Sequence, residues 1–192
     1  MFVSHDREKL LNAIIYFVRE TKRAHTLKLF KLLNFLDFEH FRQTGRIVTG
    51  LEYCAWQNGP APRELWNELE RGGDKDFHEA ILLKIELDHI TDEVLRRDLK
   101  PKKNFDSKYF SKRELKIMER LAFFFKETKG EDMSEFSHGQ KQPWSKVWNN
   151  GKGKSELIPP DLAFEAEPLM PEIPNIDKAE LALRKDMLRE IA

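Results

Sequence analysis

Cysteine is almost absent: Cys54 is the single one in 192 residues. That excludes an internal disulfide and any zinc site built from cysteines, and it fits a reducing compartment. Long apolar runs are missing as well. The greasiest region, Leu27 to Phe41, is broken by Lys28, Lys31, Asn34, Asp37, Glu39 and His40, so it lacks the roughly 20 apolar residues needed to cross a bilayer. The amino terminus, MFVSHDREK, places Asp6, Arg7, Glu8 and Lys9 ahead of any apolar stretch. A secretory leader runs in the opposite order, so none is expected, and the reading is a soluble cytoplasmic protein. Charge of one sign is not in excess either: 33 basic residues balance 33 acidic ones. No global basic field is available to hold nucleic acid.

What is present is unevenly placed. Residues 155–192 hold nine acidic and four basic residues and five of the nine prolines, which leaves residues 1–154 at +5. Composition therefore marks a boundary near Lys154, with a domain over 1–154 and an acidic, proline-rich tail over 155–192. About 150 residues suffice for a core without metals or disulfides.

Hydrophobic spacing predicts a mainly helical protein (α with minor β), a helical bundle with a small antiparallel β-hairpin on its flank. Leu11, Ile14, Ile15 and Val18 recur at helical spacing over residues 6–21. A second helix follows Thr26 as N-cap and stops at Gly45. Apolar residues cover most of its circumference, which makes it the central helix. Arg46 to Trp56 is rich in β-branched and aromatic residues and halts at Gly59-Pro-Ala-Pro62. Pro62 suits the first turn of a helix over 63–71. Residues 81–87 and 94–101 flank a polar turn and read as a hairpin, with helix as the alternative for the first segment. Ser111 and Glu114 form a capping box ahead of Leu115, Met118, Leu121 and Phe125. Short helices are expected before Ser137 and around Trp144–Trp148, an irregular stretch over 151–175, and a last amphipathic helix from about Asp177.

Candidate sites are few. Asp37 and His40 lie three apart on one helix, so with His25 or His138 they form the only metal-site candidate, a metal-dependent hydrolase being the enzyme reading. Structural hydrogen bonding explains the pair as well and needs no second motif. Cys54 sits in an apolar stretch, where a thiol is an inert small hydrophobe. Gly72–Gly73 and Gly151-Lys-Gly153 lack the strand–loop–helix setting of a phosphate cradle. Lys100 to Lys103, beside Phe105 and Tyr109, is a small basic cluster that reads as a solvated hairpin end before a single-strand platform. The tryptophans at 56, 66, 144 and 148 cluster around the proline breaks. Each is either a core plug or, beside a stiff loop, an interface anchor. No catalytic residues, metal or cofactor emerge, and the class indicated is a protein that grips another protein.

A series of short motifs then carries a resemblance: Lys31-Leu-Leu-Asn-Phe-Leu-Asp37, Thr44-Gly-Arg46, Thr49-Gly50, Tyr53-Cys-Ala-Trp56, Asn58-Gly-Pro-Ala-Pro62, Phe110-Ser111 before Glu114-Leu115, Ser137-His138 and Pro143-Trp144. In order and rough spacing over residues 9–149 these resemble the SocA-like antitoxin family, or Panacea domain. Ala61 stands where the family often has valine, and residues 155–192 lie outside the resemblance. The resemblance implies a small bacterial or phage antitoxin, non-catalytic, whose partner is a toxin encoded by an adjacent gene. It implies neutralisation by direct binding, with delivery of the toxin to an ATP-dependent protease as the alternative. The family supplies no residue roles. Trp56, Pro60, Pro62, His138 and Trp144 are the contact residues indicated by their own chemistry and their place in the motifs.

Overall fold

The computed structural model describes residues 5–88, 91, 94–139 and 141–169. The expected last helix from Asp177 lies outside these residues. The described chain is mainly α: α1 (Asp6–Glu20), α2 (Thr26–Thr44), a first hairpin of β1 (Tyr53–Trp56) and β2 (Gly59–Pro62), then α3 (Arg63–Glu70) and α4 (Lys75–Ala80). A second hairpin, β3 (Ile81–Leu87) and β4 (Val94–Pro101), leads to α5 (Lys112–Phe124), α6 (Asp132–His138) and α7 (Pro143–Trp148). The hairpin expected over 81–101 is present as read. The capping box is too: Ser111 Oγ accepts from Glu114 N at 3.3 Å, and Ser111 N donates to the Glu114 carboxylate at 2.6 Å. Helix α4 was not foreseen, and α2 is capped by His25 instead of Thr26, which forms its first helical residue.

Helix α2 is the axis around which the rest is packed. Leu29, Leu32, Leu33 and Leu36 have no exposed surface, and α1, α5, α6 and both hairpins lie against them. Its far end is closed by Gly45 in the left-handed region (φ 69°), with the Gly45 N–H donating to Phe41 O at 2.7 Å. On α1 the buried stripe of Leu10, Ala13, Ile14 and Phe17 follows the 3.6-residue period. Arg7 on α1 grips Glu68 of α3 and Asp76 of α4 at 2.7–2.8 Å, and Lys9 reaches Glu114 of α5 at 2.6 Å.

Burying α2 on every side also buries its polar residues, and four of these heads, Lys28, Lys31, Asp37 and His40, hold connecting segments. The Lys28 ammonium donates to the carbonyls of Lys22, Lys126 and Thr128 at 2.7, 3.2 and 2.8 Å, tying the α1–α2 and α5–α6 connections together. Asp37 accepts from Val48 N and Thr49 N, each at 2.9 Å, from Thr49 Oγ1, and from the Tyr53 hydroxyl at 2.7 Å. Burial still pushes its carboxyl up to about 6. His40 Nδ1 is 2.8 Å from Arg46 O. The Asp37/His40 pair is thus engaged in structural hydrogen bonds, and no metal-holding group of acidic, His or Cys residues occurs among the described residues. Lys31 Nζ donates to Asn58 O, in the β1–β2 turn, and lies 3.2 Å from Ser137 Oγ.

The packed body continues past the compositional boundary at Lys154. Ala55 N donates to Glu156 O, Ser155 N to Ala55 O and Ile158 N to Tyr53 O, all at 2.8 Å, so residues 155–158 run along β1 opposite β2. Ile158, Ala163 and Phe164 are buried, with the Phe164 ring 5.2 Å from that of Phe41. A chain ended at Lys154 is therefore expected to melt at a markedly lower temperature than one ended at Leu169. Phe164→Ala alone should cost about 3–5 kcal/mol in denaturant unfolding.

A pH dependence follows from the buried amines. Burial lowers Lys28 to about 8 and Lys31 to about 7, from 10.5. As pH falls, the unfolded chain takes up these protons before the folded chain does. Their contribution to stability is complete above about pH 10.5 and is lost as pH falls toward 8 and 7. Asp37 acts in a separate window: its stabilisation is lost as pH rises from 3.8 to about 6. The melting temperature should rise between neutral and alkaline pH, and Lys31→Met should flatten that rise. An unchanged slope in the variant would show that Lys31 is not buried as an amine.

Candidate functional site

The first hairpin is built from prolines, and the alternation of its backbone explains how. Tyr53 and Ala55 direct their backbone groups toward residues 155–158, leaving Cys54 and Trp56 to pair with Ala61 and Gly59. Pro60 and Pro62 fall opposite Ala55 and Tyr53, at positions where no N–H is required. The prolines, expected to halt the strand, instead form its partner. At the turn, Gly59 has φ 109°, and a Cβ there would lie 1.6 Å from Lys31 Nζ. Only glycine allows the amine to reach the turn carbonyl.

Four of the five sequence-indicated contact residues come together here. Trp144 is buried (7% exposed) and donates its indole N–H to Trp56 O at 2.8 Å. His138 stacks on Trp144 with ring centroids 3.9 Å apart, and Trp148 stacks on Trp144 at 5.3 Å. Burial, and then the charge of Lys31, hold the His138 imidazole below its ordinary range. Trp144 and His138 therefore stand behind the hairpin as support, while half-buried Trp56 and buried Pro60 lie on its groove side. Pro62 is buried where β2 passes into α3 and lies away from the opening.

Trp56 and Pro60 line a groove of about 650 Å³ between the two hairpins. Its other walls are Phe30 of α2, Trp66 of α3, and Val94, Leu95 and Arg97 of β4. The rings form a continuous aromatic wall: Trp56 meets Trp66 edge-on at 5.4 Å, and Trp66 meets Phe30 at 6.2 Å. The Arg97 guanidinium lies 5.3 Å over Trp66 and pairs with Glu70 at 2.6 Å. Its Nε is buried with no hydrogen-bond partner among the described residues. Leu95 is 61% exposed and forms the rim. Such a groove accommodates an apolar segment. Phe30, Trp66, Leu95 and Arg97 escaped sequence reasoning as groove residues. Trp66 alone gave a signal, as one of the clustered tryptophans.

Other candidates dissolve into structure. Cys54 is fully buried, and burial raises its thiol pKa. Ser137 Oγ donates to Ser134 O at 3.0 Å, and Ser137 is buried. In the basic cluster, Lys102 Nζ reaches His78 O and Lys103 pairs with Glu79 at 3.4 Å. No helix among the described residues is long and apolar enough to cross a membrane.

The proline hairpin, Trp144 and the aromatic wall of the groove fall within the span of a family model. The model described as "Antitoxin SocA-like, Panacea domain" matches residues 29–145, from the first turns of α2 to the start of α7. No curated protein and no solved structure shows a significant match. The match covers more than half of the chain and contains the motifs that line and brace the groove, and the chain belongs to the SocA-like antitoxin family with a Panacea domain.

Proposed function

We propose that this chain neutralises a cognate toxin, encoded by an adjacent gene, by direct protein–protein binding in the cytoplasm, with the inter-hairpin groove as the contact surface. The observation that carries this reading is the aromatic groove itself, about 650 Å³, with Trp66 in ring contact with both Trp56 and Phe30. Interface energy concentrates in a few aromatic and arginine side chains set in well-packed pockets. Here the hairpin backbone that carries Trp56 is fixed in advance by the bond from Trp144 to Trp56 O and by the Lys31–Asn58 clamp, which lowers the ordering cost of binding. Family membership supports an antitoxin role in general, and the choice of surface rests on the geometry. In this reading Trp56 and Leu95 touch the toxin, Arg97 holds Trp66 in place from above, and Pro60 stiffens the wall. Pro62, His138 and Trp144 hold that wall from behind.

The test is co-expression with the neighbouring gene, scoring growth rescue and co-elution. Leu95→Asp should abolish both while changing stability by no more than about 0.5 kcal/mol, because Leu95 is exposed. Trp56→Ala should weaken the complex by about 2 kcal/mol or more. Trp144→Ala should instead cost about 3–5 kcal/mol of folding stability, read by denaturant melts. Rescue without any detectable complex, or a covalent change in the toxin, would refute binding as the mechanism.

A further inference from the structure

The outer edge of β3 is open: among the described residues β4 is the only strand that pairs with it. Ala80 O accepts from Lys102 N and Lys103 N and so faces β4. Backbone groups alternate sides along a strand, which turns the N–H and C=O groups of Leu83, Ile85 and Leu87 outward. Ile85 and Leu87 are also exposed, at 46% and 43%. An open edge carrying exposed apolar residues is a template for another strand.

The sequence of that edge identifies the strand it fits. A lysine on an edge ordinarily discourages pairing, but Lys84 is followed two residues on, along the same face, by Glu86. Set Leu83-Lys84-Ile85-Glu86-Leu87 antiparallel to itself about Ile85. Leu83 then meets Leu87, Lys84 meets Glu86, and Ile85 meets Ile85. The outward backbone groups of Ile85 fall opposite their own copies, as a hydrogen-bonded antiparallel pair requires. Moving the centre by one residue places Lys84 opposite Lys84 or Glu86 opposite Glu86, so one register is selected and its neighbours are penalised. Within the hairpin Lys84 is already in register with Asp98 and Glu86 with Arg96. The added pairing extends the same alternation of charge across the sheet.

We propose that a second copy of this chain docks on this edge. The two β3 strands pair antiparallel about a two-fold axis at Ile85, and the two hairpins become one sheet in the order β4-β3-β3-β4. This contact is isologous, so it closes on itself and gives a dimer and no filament.

The experiment is sedimentation of the full chain over a concentration series, with charge-reversal variants. The parent should show a monomer–dimer equilibrium. Lys84→Glu and Glu86→Lys should each weaken it about tenfold or more, because every like-charge pair occurs twice per dimer. Both residues are exposed, so the variants should melt like the parent. Mixing the two variants should restore association as a heterodimer, since their charges are complementary in this register. Ile85→Cys should give a disulfide-linked dimer on mild oxidation, as paired Cα atoms lie about 5.5 Å apart and Cys54 is buried. A parent that stays monomeric throughout would overturn the proposal. So would charge variants that dimerise like the parent, or a mixture of the two that stays monomeric.

Discussion

The amine of Lys31 sits inside the protein, held by a backbone carbonyl and a serine hydroxyl, with no salt-bridge partner among the described residues. A group so placed is costly to desolvate, which is why its affinity for a proton falls toward neutrality. The same constraint runs along the whole of α2, a 19-residue helix surrounded on all sides. Its buried polar heads must find partners or destabilise the fold. Neighbouring helices have already committed their own backbone groups, so the free carbonyls and N–H groups belong to connecting segments. Lys28 takes two of these segments, Lys31 the β1–β2 turn, and Asp37 the stretch from Val48 to Tyr53. The interior helix thereby fixes where the loops lie.

This accounts for what the sequence displayed and what it concealed. Helices α1 and α5 were legible because one face of each is apolar at the 3.6-residue period, and Ser111 with Glu114 announced the start of α5. The β3–β4 hairpin was legible from a polar turn between two strand-forming runs. Lys28, Lys31 and Asp37 looked like interruptions in an apolar segment. They are among the most deeply buried residues. Nothing in a periodicity argument separates a charged residue that faces water from one that faces a carbonyl, because the partner comes from a distant segment. Lys31 and Asn58 are 27 residues apart, and Lys28 and Thr128 are 100 apart.

The candidate site was legible in half its parts for the same reason. Trp56 and Pro60 drew attention through local chemistry, a large ring beside a stiff turn. Phe30, Leu95 and Arg97 are ordinary residues in their own elements and become a groove only when α2, β4 and the first hairpin meet. Reading prolines as strand breakers was sound for a central strand but failed for β2. Every second residue of β2 turns its nitrogen away from β1, and the prolines occupy those positions. Trp144 gave the same signal as Trp56, yet the structure divides their tasks: one ring is exposed to the groove, and the other is buried and supports it through a single hydrogen bond.

The second hairpin supplies two surfaces that do not compete. Val94, Leu95 and Arg97 of β4 wall the groove, while the open edge is the far side of β3. The bulge between the strands lies at Glu86/Leu87, with the extra residue, Leu95, on β4. A bulge on the groove strand projects Leu95 as the rim while leaving the alternation of β3 uninterrupted, so the edge keeps the register that its charges select. Pairing of two β3 strands would therefore leave both grooves open, one on each copy. The two proposals taken together describe a symmetric dimer with one partner in each groove. The hairpin, anchored by Arg97 to Glu70 and by its packing on α1 and α2, would then carry both self-association and partner binding on one element.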